Sequence, residues 1–118
     1  MVKKIAFVHT AISNANVFKP MIAKCLPGIS SFHIVDESLI QDLLEVGQFT
    51  PSILRRLCSQ IELAEDAGAH LIVVTCSSLA PGVDIAAKMA SVPVMKVDEP
   101  MAEKAISLSD SIGLLATA

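Results

Sequence analysis

The chain has 118 residues, enough for one core and too few for two domains of ordinary size. Nine Lys and Arg stand against twelve Asp and Glu, a formal net charge of −3, so there is no basic stripe to neutralise a phosphate backbone and nucleic acid is argued against as a partner. Hydrophobic residues make up 53% and charged residues only 18%, which excludes intrinsic disorder.

In chain order, the segment Lys4 to His9 (KIAFVH) is short, apolar and β-branched at Ile5 and Val8, and predicts a first strand. The polar run His9 to Asn16 (HTAISNAN) follows as its loop. From Asn16 or Val17 to about Cys25, Val17, Met21, Ile22 and Cys25 recur at helical spacing, and Pro27-Gly28 ends this first helix despite Pro20 inside it. Ser31 to Val35 (SFHIV) predicts a second strand. Asp36 is then a cap for a helix carrying Leu39, Ile40, Leu43 and Leu44 up to Gly47. Thr50-Pro51 opens the clearest helix, because Thr caps and Pro loses nothing at the first helical position. Its stripe is Ile53, Leu54, Leu57, Ile61 and Ala64, and Gly68 stops it.

Leu71 to Thr75 (LIVVT) is an unbroken apolar run of strand length, as expected of a central parallel strand buried on both faces. A short helix from about Pro81 to Ala90, a strand from Val92 to Val97 and a helix from Pro100 to about Leu108 continue the alternation. Ile112 to Ala118 (IGLLATA) predicts a fifth strand. The fold class is therefore α/β, a doubly wound, mostly parallel sheet of four to five strands with helices on both faces, a flavodoxin-like lobe. Residues 1–110 are read as this lobe and 111–118 as its terminal strand.

The longest charge-free stretch, Ala67 to Val83, is interrupted by Gly68, His70, Thr75, Ser77, Ser78, Pro81 and Gly82, so no membrane span is expected. The apolar run after Lys3 and Lys4 soon meets His9, Thr10, Ser13 and Asn14, so no secretory signal is visible and a cytoplasmic location is expected. Cys25, Cys58 and Cys76 form no CxxC pair and have no His at ligand spacing, which indicates neither a disulfide framework nor a metal site. Cys25 and Cys58 fall inside amphipathic helices, where core packing explains them.

In doubly wound sheets the ligand crevice lies at the carboxyl ends of the strands. Cys76 closes the most buried strand and precedes Ser77, Ser78 and a helix, a position near the positive end of a helix dipole that favours a reactive thiolate. Ser77 and Ser78 add hydroxyls, and free backbone N–H groups in such a turn can hold a carboxylate. The same pattern fits a small buried hydrophobe followed by two capping serines. His9 and Thr10, after the first strand, are candidate substrate contacts, with turn and helix-start satisfaction as the competing role. Asp98 and Glu99 end the fourth strand inside the predicted crevice, where capping of the next helix competes with substrate contact. His33 within the second strand and His70 at the amino end of the third are read as structural or solvated.

The segment TCSSLAPGVD, with AEDAGAHLIVV before it and PVMKVDEPMAEKA and IGLLATA after it, resembles the aspartate/glutamate/hydantoin racemase superfamily. The resemblance covers essentially the whole chain but only the first of that family's two similar lobes. It implies a cofactor-independent isomerase in which one cysteine from each lobe faces the substrate, and Cys76 falls on the first-lobe cysteine. Ser77 and Ser78 stand where glutamate and aspartate racemases usually have Asn-Thr, so side-chain contacts to a substrate carboxylate differ. The implied partners are a small carboxylate or amino-acid substrate and a second lobe or a second copy in a homo-oligomer. Relatives in the superfamily also decarboxylate malonates or isomerise maleate in the same crevice, and a non-catalytic flavodoxin-like interaction domain is the alternative from another class.

Overall fold

The computed structural model describes residues 1–116. Four strands, β1 (Lys4–His9), β2 (Ser30–Val35), β3 (Leu71–Val74) and β4 (Val94–Lys96), form one sheet in the order β2-β1-β3-β4, and every pairing is parallel. Five helices accompany them: α1 (Ile12–Cys25), α2 (Glu37–Val46), α3 (Pro51–Asp66), α4 (Ala80–Met89) and α5 (Glu99–Leu108), with a short 3₁₀ turn over Ser77–Leu79. The architecture is thus the expected α/β sheet, at four strands. Among the described residues no helix is long and apolar enough to cross a membrane.

The central strand β1 shows why the chain folds this way. Five of its six residues are buried, and alternate side chains go to opposite faces. Ala6 and Val8 join Ile72 and Val74 of β3 on one face, beneath Leu39 of α2, Ile53, Leu57, Ile61 and Ala64 of α3, and Leu79, Val83 and Ala86 around α4. Ile5 and Phe7 join Val73 on the other, beneath Ile22 and Phe18 of α1.

Local signals fix the helix ends of the first face. Asp36 accepts the Ser38 N–H at 3.0 Å at the start of α2, and Thr50 accepts the Ile53 N–H at 3.2 Å at the start of α3. Gly47 ends α2 with φ 75°, a left-handed conformation that costs a residue with a Cβ far more than it costs glycine. Gly82, in the first turn of α4, is required for a different reason. A Cβ there would lie 2.3 Å from the Phe49 ring and 2.9 Å from Leu57, so α4 closes on α3 only because position 82 has no side chain.

Four expectations are corrected. Helix α1 begins at Ile12, four residues before the expected start, with no side-chain cap at Ala11, so Ser13, Asn14 and Asn16 belong to the helix and not to a loop. Its buried stripe is Ala15, Phe18 and Ile22, while Val17, Met21 and Cys25 point outward; Cys25 is exposed and packs in no core. Strand β4 is shorter than Val92 to Val97 because Glu65 takes the Ser91 and Val92 N–H groups, the latter at 3.1 Å, before the ladder begins. The expected fifth strand, Ile112 to Ala118, has no regular structure over 112–116, and Thr117 and Ala118 lie outside the described residues. Leu114 and Leu115 are exposed and instead border the cleft described below.

Candidate functional site

Strand order reverses between β1 and β3: from β1 the chain crosses to β2 on one side, and β3 and β4 lie on the other. The crevice of a doubly wound sheet opens at such a switch point, past the carboxyl ends of its strands. Here the two segments flanking it are Thr10-Ala11, after β1, and Thr75 to Ser78, after β3. The second opens into a cleft of about 430 Å³ lined by Thr75, Ser77, Ser78, Val97, Asp98, Met101 and the segment 114–116.

The sequence-derived candidates occupy distinct places. Ser77 and Ser78 are exposed at the cleft and start the 3₁₀ turn. Cys76 precedes them, and the Leu79 N–H donates to its carbonyl at 3.2 Å. Its half-buried side chain packs against the core under α3 and α4. The 3₁₀ turn separates Cys76 from the start of α4, so it is not the cap of that helix. Thr10 is buried. Asp98 is half-buried on the cleft wall, and its side chain makes no capping bond to α5 although it holds the capping position; Glu99 is exposed. Neither of the other cysteines comes near this site: Cys25 ends α1 at the opposite end of the sheet, and Cys58 lies within α3.

His9 is wholly buried, so it meets no solvent-borne molecule in this state. Its Nδ1 lies 2.7 Å from Thr75 Oγ1, and its Nε2 lies 2.8 Å from Nδ1 of His33. The direction of these bonds depends on the His9 tautomer and on where Thr75 turns its hydroxyl. The hydroxyl proton has two acceptors within reach, the Val8 carbonyl at 3.2 Å and, in one tautomer, Nδ1 of His9 at 2.7 Å. With its hydroxyl turned to Val8, Thr75 accepts from His9 Nδ1–H and His33 donates from Nδ1 to His9 Nε2; the other His9 tautomer reverses both bonds. The Phe7 ring lies nearly parallel to both imidazoles, with centroids 6.2 Å from His9 and 5.2 Å from His33, and the two imidazoles are nearly parallel with centroids 5.1 Å apart. Burial lowers the His9 pKa to about 4, helped by the neighbouring His33 and by Lys19. Burial, with Lys19, also lowers that of His33.

Two residues of this arrangement escape a reading of the sequence. Thr75 looks like the end of an apolar strand, and His33 looks like one polar residue within another. The available signal is parity: β1 and β2 each carry a histidine on the face that holds Phe7, and the register Phe7↔His33 brings them together. That register is set by the fold and is not visible in either strand alone. His70, at the amino end of β3, is read as structural or solvated; it accepts the Lys3 and Lys4 N–H groups at 3.2 Å, on the side of the sheet away from the cleft.

The sequence model of the family described as Asp/Glu/Hydantoin racemase matches residues 13–118. Among solved structures, a Yersinia pestis protein described as a "putative Asp/Glu Racemase" shares this fold with a TM-score of 0.62 at 20% sequence identity. The likeness covers 80% of this chain and 43% of that one, so the chain spans less than half the length of that protein. No curated protein matches by sequence.

Proposed function

Since the chain belongs to the Asp/Glu/hydantoin racemase family, we propose that it is one lobe of a racemase-type isomerase, with Cys76 as its acid/base thiol toward a small carboxylate or amino-acid substrate. The observation that carries this reading is position: the Cys76 turn stands at the switch point of the sheet, beside a cleft whose lining includes its neighbours Thr75, Ser77 and Ser78. Ser77, Ser78 and the N–H groups of their turn bind the carboxylate. Thr10 supports the facing loop. His9, with both ring nitrogens engaged, holds Thr75 and leaves substrate contact to others.

The chemistry sets a clear demand. A proton on the carbon next to a carboxylate is very weakly acidic, and its removal leaves negative charge that hydroxyl and N–H donors must stabilise. Cys76 as thiolate takes that proton and becomes a thiol, and a second acid on the opposite face returns a proton to the carbon, inverting it. Cys25, at the end of α1, and Cys58, within α3, are not among the residues that line the cleft. The second group therefore belongs to another lobe or a second copy of the chain, and no dissociable cofactor is needed for the proton transfer.

Alkylation tests the reading. Exposed Cys25 is the natural first target for iodoacetamide, so an activated Cys76 is recognised by labelling about tenfold faster than Cys25 near neutral pH, with protection by a small dicarboxylate or amino acid. Labelling of Cys25 first and of Cys76 slowly, with no protection, returns Cys76 to the role of a core side chain and favours a non-catalytic domain. In deuterated water, incubation of the protein with candidate L-amino acids then separates racemisation, which washes deuterium into the α position, from decarboxylation or cis-trans isomerisation.

A further inference from the structure

The bonds from His33 to His9 and from His9 to Thr75 end one residue before Cys76. We propose that His33 is a positioning residue for the Cys76 turn, acting through His9 and Thr75 to hold the point where the chain leaves β3 for the cleft. The proposal rests on the reading of residues 75–78 as the working turn, and adds a device that regulates it.

Thr75 is fixed twice to β1: its N–H donates to the Val8 carbonyl at 3.0 Å and its hydroxyl donates to the same oxygen at 3.2 Å. The second bond holds only while the hydroxyl proton is turned toward Val8, and in the proposed arrangement an Nδ1–H of His9, facing Oγ1 across the 2.7 Å contact, enforces that orientation. That tautomer of His9 is favoured when Nε2 accepts a hydrogen bond, and in the same arrangement His33 Nδ1, 2.8 Å away, is its donor. Phe7 and Phe18 close around the rings. His9 is wholly buried while His33 is half-buried, so His33 is the end of the series that solvent reaches. Lys19 of α1 is the charged side chain that bears on the pair, and among the described residues no carboxylate contributes to the shift of either ring.

The two histidines respond differently to acid. A proton added to the outer nitrogen of His33 leaves its Nδ1–H donating as before. A proton added to Nε2 of His9 places two N–H groups against each other across 2.8 Å and breaks the series. The turn is thus held while His9 is neutral and released once it is charged.

Two substitutions separate positioning from simple packing. His33→Phe keeps a ring beside Phe7 and removes the donor; His33→Asn loses the stack and keeps an amide donor that cannot titrate. Amide hydrogen exchange is read at Thr75 and Leu79, whose N–H groups bond to Val8 and Cys76, and at His70, whose N–H bonds to Lys4 at the far end of the sheet. The expected result is exchange about five- to tenfold faster at Thr75 and Leu79 in H33F, unchanged at His70, with recovery in H33N, the scale set by one lost hydrogen bond. Equal acceleration at His70, or no change at Thr75 and Leu79, overturns the proposal. Nitrogen-detected imidazole spectra of the unaltered protein give an independent reading, and an Nε2–H tautomer at His9 overturns it as well. Cys76 alkylation on the same samples separates the two claims: slow labelling of Cys76 with the expected exchange pattern removes the thiol's role and leaves the positioning intact.

Discussion

The two faces of the sheet are built from one set of strands and have opposite characters. Under α2, α3 and α4, thirteen buried residues from Ala6 to Ala86 form a continuous apolar core. Under α1, four buried apolar residues share the surface with a pair of hydrogen-bonded histidines, and α5 buries no residue at all. Ile106 and Leu108 of α5 are 69% and 73% exposed. The difference separates the jobs of the molecule. Stability is concentrated on the first face, which leaves the second free to carry polar groups that a dense core would reject without partners.

The largest test of this division is Leu57→Ala in α3. Leu57 is fully buried at the centre of the first face, and its truncation is expected to cost about 3–4 kcal/mol in urea unfolding, because transfer energy and a residual cavity add. A loss below about 0.5 kcal/mol breaks the comparison, since that is the scale of surface substitutions.

Acid titration probes the second face. The His9 pKa falls from 6.5 in the unfolded chain to about 4 in the folded protein, so between those values the unfolded state binds a proton that the folded state refuses. Stability from this group is fully present above pH 6.5 and is lost as the pH falls toward 4, by an amount on the order of 3 kcal/mol at most. His33 shifts in the same direction and adds to the slope. Thermal unfolding from pH 7 to pH 4 checks this, and His9→Asn is expected to flatten the dependence. An unchanged slope in that variant places the acid sensitivity elsewhere.

The smallest effect is expected at α5. Ile106→Ser is predicted to change stability by less than about 0.5 kcal/mol in the isolated chain, because no packing is lost. A cost of core size in a chemical unfolding series shows that α5 is covered in solution, and sharpens the contrast into one between an inner core and an interface.

The elements of the first face are legible in the sequence because each carries its own signal. The apolar run at 71–74 predicts a buried strand, and Thr50 with Pro51 and the stripe to Ala64 give α3 from cap to stop. The second face is less legible. Helix α1 starts without a capping side chain, so nothing in Ile12, Ser13 or Asn14 announces it, and its outward residues Val17 and Met21 are as apolar as its buried ones. At the cleft, position after a strand singles out Ser77, Ser78 and Asp98, but the role of His9 depends on His33 and Thr75, which reach it only through the pairing of three strands. Local sequence encodes caps and stripes; partners brought together by strand register are encoded only in the whole.

The place of β1 at the centre of the sheet also has a consequence for how the protein is made. Its first residues pair on one side with β2, near in sequence, and on the other with β3, as in Ile5↔Leu71. His9 and Thr75 are 66 positions apart. At a synthesis rate of roughly 5–20 residues per second, one edge of β1 stays open for ~3–13 s before its partner is made. During that interval a strand of Ile, Ala, Phe and Val presents an unpaired edge. The nascent lobe is most vulnerable to wrong pairing then, and the arrival of β3 ends that exposure in the same step that brings Thr75 against His9.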